Sequence, residues 1–402
     1  MPNGHGFIDS DAHIIEPEDM FEKYLDTRYR SAMPKAWANY RGEPLGFGFE
    51  VRIPNPAGGE YLMPFGRDPL RDPAQADGKP HSGAQEAGER VFLPGHDEAY
   101  AQYAEQDFPP EIYPEVMQRV GIDYMVVYPS IGLLSVTVPN LAADTAAAYR
   151  RAYNNWLADF CAAAGGRVFG AASIDLRDAQ EAAREVRRCV TEFHFKAVHI
   201  NPVPVCEHRL YDAFYEPLWE TLEELDVPLA VHTGNGTAAD EMLYYYLPRL
   251  RSAQTTVAFT IGNMLASTAL IMGGVLERHP RLRVVHLESG AGWAAFWLDR
   301  LGAGVQGGFR CLAIEGLSMP PVEYFKRQCY ISADPDDPGI RQVIDAIGDN
   351  NIVTATDFAH PEGRQYAWAV KEMMALPGVS DDSKRKIMWD NALRLYPIQP
   401  DA

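Results

Sequence analysis

Carboxylates and histidines recur in this sequence at the ends of short apolar runs, and those residue types are what a catalytic divalent metal needs. Asp11, His13 and Glu16 fall in Ile-Asp-Ser-Asp-Ala-His-Ile-Ile-Glu-Pro over residues 8–17. His232 closes Pro-Leu-Ala-Val-His, Glu288 closes Arg-Val-Val-His-Leu-Glu, and Asp357 closes Ile-Val-Thr-Ala-Thr-Asp. Asp11 and His13 are two apart, so on an extended strand they point the same way and can reach one ion. Glu16 reads equally as a ligand and as a first-turn helix acid. His286 shares parity with Glu288, so both are expected to face inward, with the deeper His286 supporting a ligand or packing. His199 sits inside another apolar run, as a packing residue or beside substrate. Asn235, in the Thr-Gly-Asn-Gly loop after His232, is a candidate contact to substrate. His360, three residues past Asp357, is placed to orient substrate.

A metal bound by such a set lowers the pKa of its water to about 7 or polarises a substrate oxygen. Asp357 would hold the ion while accepting a proton, and Glu288 would move protons beside it. There is no Gly-x-Ser-x-Gly elbow and no phosphate-binding P-loop, so serine hydrolysis and NTP hydrolysis lack support.

The elements that must position these residues follow from residue 121 onward, where β-branched runs alternate with amphipathic stretches. Strands are expected at 124–128, 168–174, 196–200, 228–232, 282–288, 329–332 and 352–356, with a first strand near 7–9. Helices are expected between them at 141–164, 179–192, 211–225, 257–276, 293–301 and 340–347, and then to about 396. Eight β/α units imply a closed parallel (β/α)8 TIM barrel, whose active site lies at the C-terminal ends of the strands. The mostly apolar runs suit strands covered by helices, and an open doubly wound sheet lacks its glycine-rich turn after the first strand. Residues 18–118 break the repeat. They are rich in Gly, Pro and charge, with a long irregular loop expected over 67–89. An insertion after strand 1 emerges on the catalytic face and would cap the site. The whole chain then forms one barrel domain of 402 residues with the capping region inside it.

Composition narrows the partners. A net charge of −19, from 55 acids against 36 bases, argues against nucleic acid. Five cysteines without CxxC spacing read as free thiols. The N-terminus shows no basic-then-apolar leader, which leads to a cytoplasmic expectation. Residues 257–276 carry no charge and are long enough to span a bilayer. They are only moderately apolar, however, and the strand–helix pattern continues on both sides, so a buried helix is expected and no membrane partner.

At these residues the sequence resembles the amidohydrolase superfamily, in its amidohydrolase-2 branch of muconate-type and aromatic decarboxylases and hydrolases. The pieces that carry the likeness are Asp-Ala-His-Ile-Ile-Glu-Pro at 11–17, His232, Leu-Glu-Ser-Gly-Ala-Gly-Trp at 287–293 and Thr-Asp-Phe-Ala-His-Pro at 356–361. Weaker matches are Ala-Tyr-Asn-Asn-Trp at 152–156 and the terminal run 390–396. The resemblance implies a distorted TIM barrel and a metal held by the first-strand pair, His232 and Asp357, with the sixth-strand position acting on water or substrate. It also implies a homodimer. Two departures stand out: the usual His-x-His is Asp11-x-His13, and the sixth-strand His is Glu288. No fourth-strand lysine is placed to bridge two metals, Lys196 lying too near the strand start.

The combined expectation is a metal-dependent hydrolase or decarboxylase of a small organic acid, amide or lactone-like molecule, using one or two ions of zinc or manganese. The alternative is a non-haem di-iron monooxygenase on the same barrel, since Asp11, Glu16, Glu288 and Asp357 with His13 and His232 suffice for two ions.

Overall fold

A computed structural model describes residues 6–38, 49–54, 60–64, 98–130, 141–232, 246, 251–306, 316–360 and 366–400. Among the described residues, eleven strands run in chain order as β1 (Ile8–His13), β2 (Lys35–Ala38), β3 (Phe49–Pro54), β4 (Glu60–Pro64), β5 (Tyr124–Tyr128), β6 (Val168–Ser173), β7 (Ala197–Ile200), β8 (Leu229–His232), β9 (Val284–Leu287), β10 (Cys329–Ala333) and β11 (Ile352–Thr354). Eight of them form one sheet in the order β1-β5-β6-β7-β8-β9-β10-β11, and every recorded pairing in it is parallel. Strands β2, β3 and β4 form a separate antiparallel sheet within the region between β1 and β5.

The helices are α1 (Met20–Tyr24), α2 (Glu98–Glu105), α3 (Ile112–Val120), α4 (Ala143–Ala163), α5 (Ala179–Glu192), α6 (Glu216–Glu224), α7 (Arg251–Met272), α8 (Val275–Arg278), α9 (Trp293–Gln306), α10 (Pro321–Gln328) and α11 (Gly339–Ile347). Three short ones follow: α12 (Ala369–Ala375), α13 (Asp381–Arg385) and α14 (Asn391–Leu395). The expected β/α alternation from residue 121 onward is therefore present, with boundaries shifted by a few residues. The (β/α)8 barrel is its outcome.

Two apolar sets divide the strands, as their period of two requires. Ile8, Tyr124, Val126, Tyr128, Ala171, Ala197, Ala230, Val285 and Leu287 fill the barrel interior. Met125, Val127, Val168, Val198, Val231 and Val284 pack outward under the helices. Tyr396 enters the inner set from the far end of the chain, its hydroxyl donating to the Ser10 carbonyl at 3.0 Å and meeting the Tyr128 hydroxyl at 3.1 Å.

The seam between β11 and β1 is closed beyond the regular strands. Asp357 N–H donates to Asp11 O at 3.0 Å and His13 N–H donates to Phe358 O, so the last ties of the barrel are made by its chemistry-bearing residues. Helices α2 and α3 brace this seam: Tyr113 donates to the His13 carbonyl at 2.7 Å and Tyr100 to the Ala359 carbonyl at 2.8 Å. The C-terminal part of the 18–118 region thus packs on the mouth, while the loop expected over 67–89 lies outside the described residues.

No described helix is long and apolar enough to cross a membrane. The uncharged segment runs through the end of α7 into α8 and holds the turn after β9, with Asn263 Nδ2 donating to Leu287 O at 3.0 Å and Thr260 donating to Ser289 O at 3.1 Å. The four described cysteines are free. Lys196 precedes β7 and stacks on Phe169, its ammonium 5.4 Å from the ring. His279, expected as a charge complement at a helix end, is buried between the carboxylates of Glu216 and Glu223, 2.8 and 3.1 Å away.

Candidate metal centre

Asp11 and His13 reach the barrel interior because β1 is not regular. Ile8 pairs with Tyr124 and His13 with Tyr128, both partners belonging to the inner set, yet five steps separate residues 8 and 13 against four between 124 and 128. The register shifts between Asp9 and Ala12. One extra residue of this kind is a β-bulge, which re-aims side chains beyond it. Without it, an inward Ile8 would send Asp11 and His13 outward.

Asp11, His13 and His232 each bring one ligand atom within 4.8 Å of the others, and so do His13, Glu288 and His360. His13 Nε2 lies 3.6 Å from Asp11 Oδ1, 3.4 Å from Asp357 Oδ1 and 3.2 Å from His232 Nε2. His232 Nε2 lies 3.4 Å from both Asp11 Oδ1 and Glu288 Oε2. The tautomer of His13 follows from its other nitrogen: Nδ1 is 3.0 Å from the Pro129 carbonyl, which only accepts, so Nδ1 carries the hydrogen. Its Nε2 lone pair therefore faces the carboxylates. Burial, with His360 and His232 nearby, holds the ring well below the usual histidine range, so it is neutral.

These atoms fit a cation and little else. Asp11 Oδ1 and Asp357 Oδ1 are buried with no hydrogen-bond partner. Burial, then the charges of Asp11 and Asp334, push the Asp357 carboxyl well above the usual carboxylate range. Carboxylate oxygens and an imidazole lone pair crowded together repel one another unless a positive charge sits among them.

The backbone bends to bring two of the acids in. Asp357 and Glu288 both adopt left-handed conformations, with φ of 57° and 45°. Such values are uncommon outside glycine and cluster at functional sites. At Glu288 the bend also overturns the parity expectation. His286 faces outward: its Nδ1 meets Asn263 Oδ1 at 2.9 Å and its ring stacks on Phe325 with centroids 6.0 Å apart. Glu288 reaches His232 because the strand ends at Leu287 and the chain turns back toward the axis. His286 therefore supports the strand end from the helical shell, through Asn263, and takes no part in the pocket.

Glu16 joins neither ligand group. Its Oε1 accepts the Ser130 N–H at 3.1 Å, which ties the chain after β1 to the end of β5. His360 is held rather than free in a loop. Ser130 donates its hydroxyl to Ile14 O at 2.7 Å, so at 2.7 Å from the same oxygen His360 Nε2 must be the donor. That leaves His360 Nδ1 facing Asp357 Oδ1 at 3.0 Å, with the ring stacked on His13 at 3.7 Å. His199 does face inward, its ring 5.9 Å from that of His232. Asn235 lies outside the described residues.

Two acids escaped the sequence reading. Asp9 is fully buried and accepts from Thr356 N at 3.1 Å, from the Thr356 hydroxyl and from Asp11 N at 3.2 Å, joining β1 to the residue before Asp357. Burial raises its carboxyl to about 7, against those hydrogen bonds. Asp334, directly after β10, opens onto the mouth. Desolvation, then the charges of Asp337, Asp336 and Asp11, raise its carboxyl to about 7. Its position after a buried strand, like that of Asp357, was the available signal.

The chain belongs to the amidohydrolase family: the family model described as Amidohydrolase matches residues 8–398. A γ-resorcylate decarboxylase of Polaromonas sp. strain JS666 is 25% identical over 293 residues, 70% of this chain and 86% of that protein. An amidohydrolase structure from Mycobacterium avium subsp. paratuberculosis superposes with a TM-score of 0.73 at 22% identity, covering 98% of this chain and 99% of that one. The 5-carboxyvanillate decarboxylase of Novosphingobium aromaticivorans, solved with manganese and 4-hydroxy-3-methoxy-5-nitrobenzoic acid, gives 0.65 at 21% identity over 98% and 97% of the two chains. At the level of the family this is a metal-dependent hydrolase or carboxy-lyase.

Proposed function

We propose that this chain decarboxylates a small carboxylic acid, with one divalent ion held by Asp11, His13, His232 and Asp357. The observation that carries the reading is the convergence of the His13 Nε2 lone pair with Asp11 Oδ1 and Asp357 Oδ1, both oxygens buried and without hydrogen bonds. A bound ion there supplies Lewis acidity toward a substrate oxygen and neutralises the carboxylates around it. The nitrogen and oxygen ligands suit manganese or zinc, and the Novosphingobium enzyme is the manganese precedent.

The protein's own groups account for the rest. Breaking the bond to the departing carboxyl leaves an electron pair on carbon, which takes up a proton as CO2 leaves. Glu288, 19% exposed and 3.4 Å from His232, is the acid open to the mouth that delivers it. His360, fixed by Ser130 and stacked on His13, orients the substrate at the opposite side of Asp357. In the hydrolytic variant of this chemistry Glu288 and Asp357 instead accept a proton from water. The region 18–118 shapes substrate choice, a role supported by the contacts of Tyr100 and Tyr113 with the seam. We also propose a homodimer, which sedimentation would test.

A second reading, di-iron oxygenation, is favoured by one feature: the two ligand groups overlap at His13, and Glu288 and His360 extend the second. Metal content separates the two. About one manganese or zinc per chain, with CO2 released from carboxylated aromatics, supports decarboxylation. Two irons per chain with oxygen consumption overturns it.

A further inference from the structure

The turn that carries Glu288 is caught from two sides, and the two sides take different backbone groups. From α7, Asn263 Nδ2 and the Thr260 hydroxyl donate to the carbonyls of Leu287 and Ser289, one on each side of Glu288. The N–H groups of the turn go the other way, to β10 and the loop after it. Glu288 N–H donates to Ser332 Oγ at 3.3 Å, and Ala291 N–H donates to Asp337 Oδ2 at 2.7 Å. Ser332 is on β10, two residues after Tyr330 of the inner set, and so shares its inward parity. Asp337 lies between β10 and α11, and its second oxygen, Oδ1, accepts from Gly339 N–H at 2.6 Å. One carboxylate therefore ties the Glu288 turn to the first residue of α11.

The two loops also meet backbone to backbone. A Cβ at Gly339 would lie 2.6 Å from Gly292 N and 2.7 Å from Gly292 Cα, so a larger residue there must push the loops apart. Inside the clamped stretch, Glu288 and Gly290 have φ of 45° and 68°. Glycine adopts such backbone readily, whereas a glutamate keeps it only where its surroundings impose it. The bond from its own N–H to Ser332 and the Asp337 tie past Gly290 bracket the strained residue. Held in this conformation, Glu288 places Oε2 3.4 Å from His232 Nε2.

We propose that Asp337, together with Ser332, is a positioning residue for Glu288, fixing from the β10 side the turn that aims its carboxylate into the mouth beside His232. This rests on the reading of Glu288 as the acid that delivers the proton. Asp337 acts through the turn and not on the substrate.

The test uses the full chain loaded with manganese, with loading checked by elemental analysis, and follows CO2 release from mono- and dihydroxybenzoates. Asp337→Ala should lower kcat about ten- to a hundredfold, with KM changed by less than about threefold. Asp337→Asn, which keeps one acceptor oxygen, should retain part of the rate. Gly339→Ala spreads the loops with Asp337 intact and should act in the same direction. Added to Glu288→Gln, Asp337→Ala should bring no further loss, since it works only through that residue. An unchanged kcat in Asp337→Ala, or a full additional loss in the double variant, overturns the clamp. Crystal structures give a readout that needs no turnover: in Asp337→Ala the Glu288 carboxylate should leave His232, and in Asp337→Asn it should stay. A Glu288 that keeps its left-handed backbone and its place in Asp337→Ala also overturns the clamp, and leaves the proton-donor reading standing. Should that variant fail to fold, Ser332→Ala and Gly339→Ala carry the same readouts. If Glu288→Gln keeps the wild-type kcat, the proton-donor reading itself fails and the positioning role falls with it. If loaded wild type releases CO2 from none of the acids, the aromatic-acid reading fails, and the crystal structures alone decide the clamp.

Discussion

The β11–β1 seam and the β6–β7 wall face each other across one barrel mouth, and they are built by opposite means. The seam holds the bulge in β1, the left-handed Asp357 and the crowded carboxylates of Asp9, Asp11 and Asp357. The wall is regular parallel sheet, and the buried Arg150 behind it is accompanied by the buried carboxylates of Asp175 and Glu185. Regular pairing delivers alternate side chains to the axis at fixed intervals, which suffices to present one ring such as that of His199. Four ligand atoms on one ion require side chains from positions that alternation does not supply, and the bulge and the left-handed turns provide them. The difference teaches that irregular backbone brings together side chains that alternation would keep apart, whereas regular backbone presents them one at a time.

The strongest way to break that contrast is to remove a seam ligand. Asp357→Ala or Asp11→Ala should abolish metal binding and activity, an effect beyond the ~10–100-fold that changes to supporting residues cost. Elemental analysis against wild type checks it, and full metal retention in both variants would remove the seam from the metal centre.

Asp9 sharpens the comparison, since it supports the seam without joining a ligand group. Asp9→Ala strands Thr356 N–H, the Thr356 hydroxyl and Asp11 N–H, each at about 1–3 kcal/mol when buried. Asp9→Asn keeps acceptors for most of them and should lose ~10–100-fold in metal affinity while remaining folded. The two also separate by pH. The carboxyl of Asp9 is raised from 3.8 to about 7 in the fold, so between those values the folded protein holds the extra proton. Stability from this group is therefore present below pH 3.8 and is lost as pH rises toward 7. In chemical denaturation of metal-free protein, Asp9→Asn should flatten that fall, and an unchanged slope would mean that Asp9 is not the group titrating.

Much of this was legible in the sequence because periodicity and strand-end chemistry survive into the structure. The eight strands from 8 to 354, and His232 at the end of β8, follow from runs that tertiary packing had no reason to override. His286 did not, because parity holds only while the strand continues, and the turn at Glu288 inverts it. Asp9 was passed over because its task is to accept hydrogen bonds from Thr356, more than three hundred residues away, which no local pattern encodes. The inward aim of Asp11 and His13 was expected from their spacing, yet it depends on a bulge that spacing alone cannot show. Ser130, and Arg150 whose Nη1 donates to Ser173 Oγ at 3.1 Å, belong to the same class: ordinary residue types given a role by neighbours from other elements.

His286 carries the smallest expected effect and tests whether the helical shell matters to the site. Burial lowers its pKa from 6.5 to about 3, so between those values the unfolded chain binds the extra proton. The stability it contributes is present above pH 6.5 and is lost as pH falls toward 3, the opposite sign to Asp9. His286→Phe removes that proton-linked loss and suits a ring already stacked on Phe325, but it leaves Asn263 Oδ1 without its 2.9 Å partner, at about 1–3 kcal/mol. Melting at pH 7 should show the deficit, while the gap to wild type narrows toward pH 4. Activity should change by less than about threefold, because Asn263 still holds Leu287 O through Nδ2 and the Glu288 turn keeps its anchor. A loss of metal or a collapse of activity in this variant would show instead that the shell positions the Glu288 carboxylate as tightly as the seam positions its own ligands.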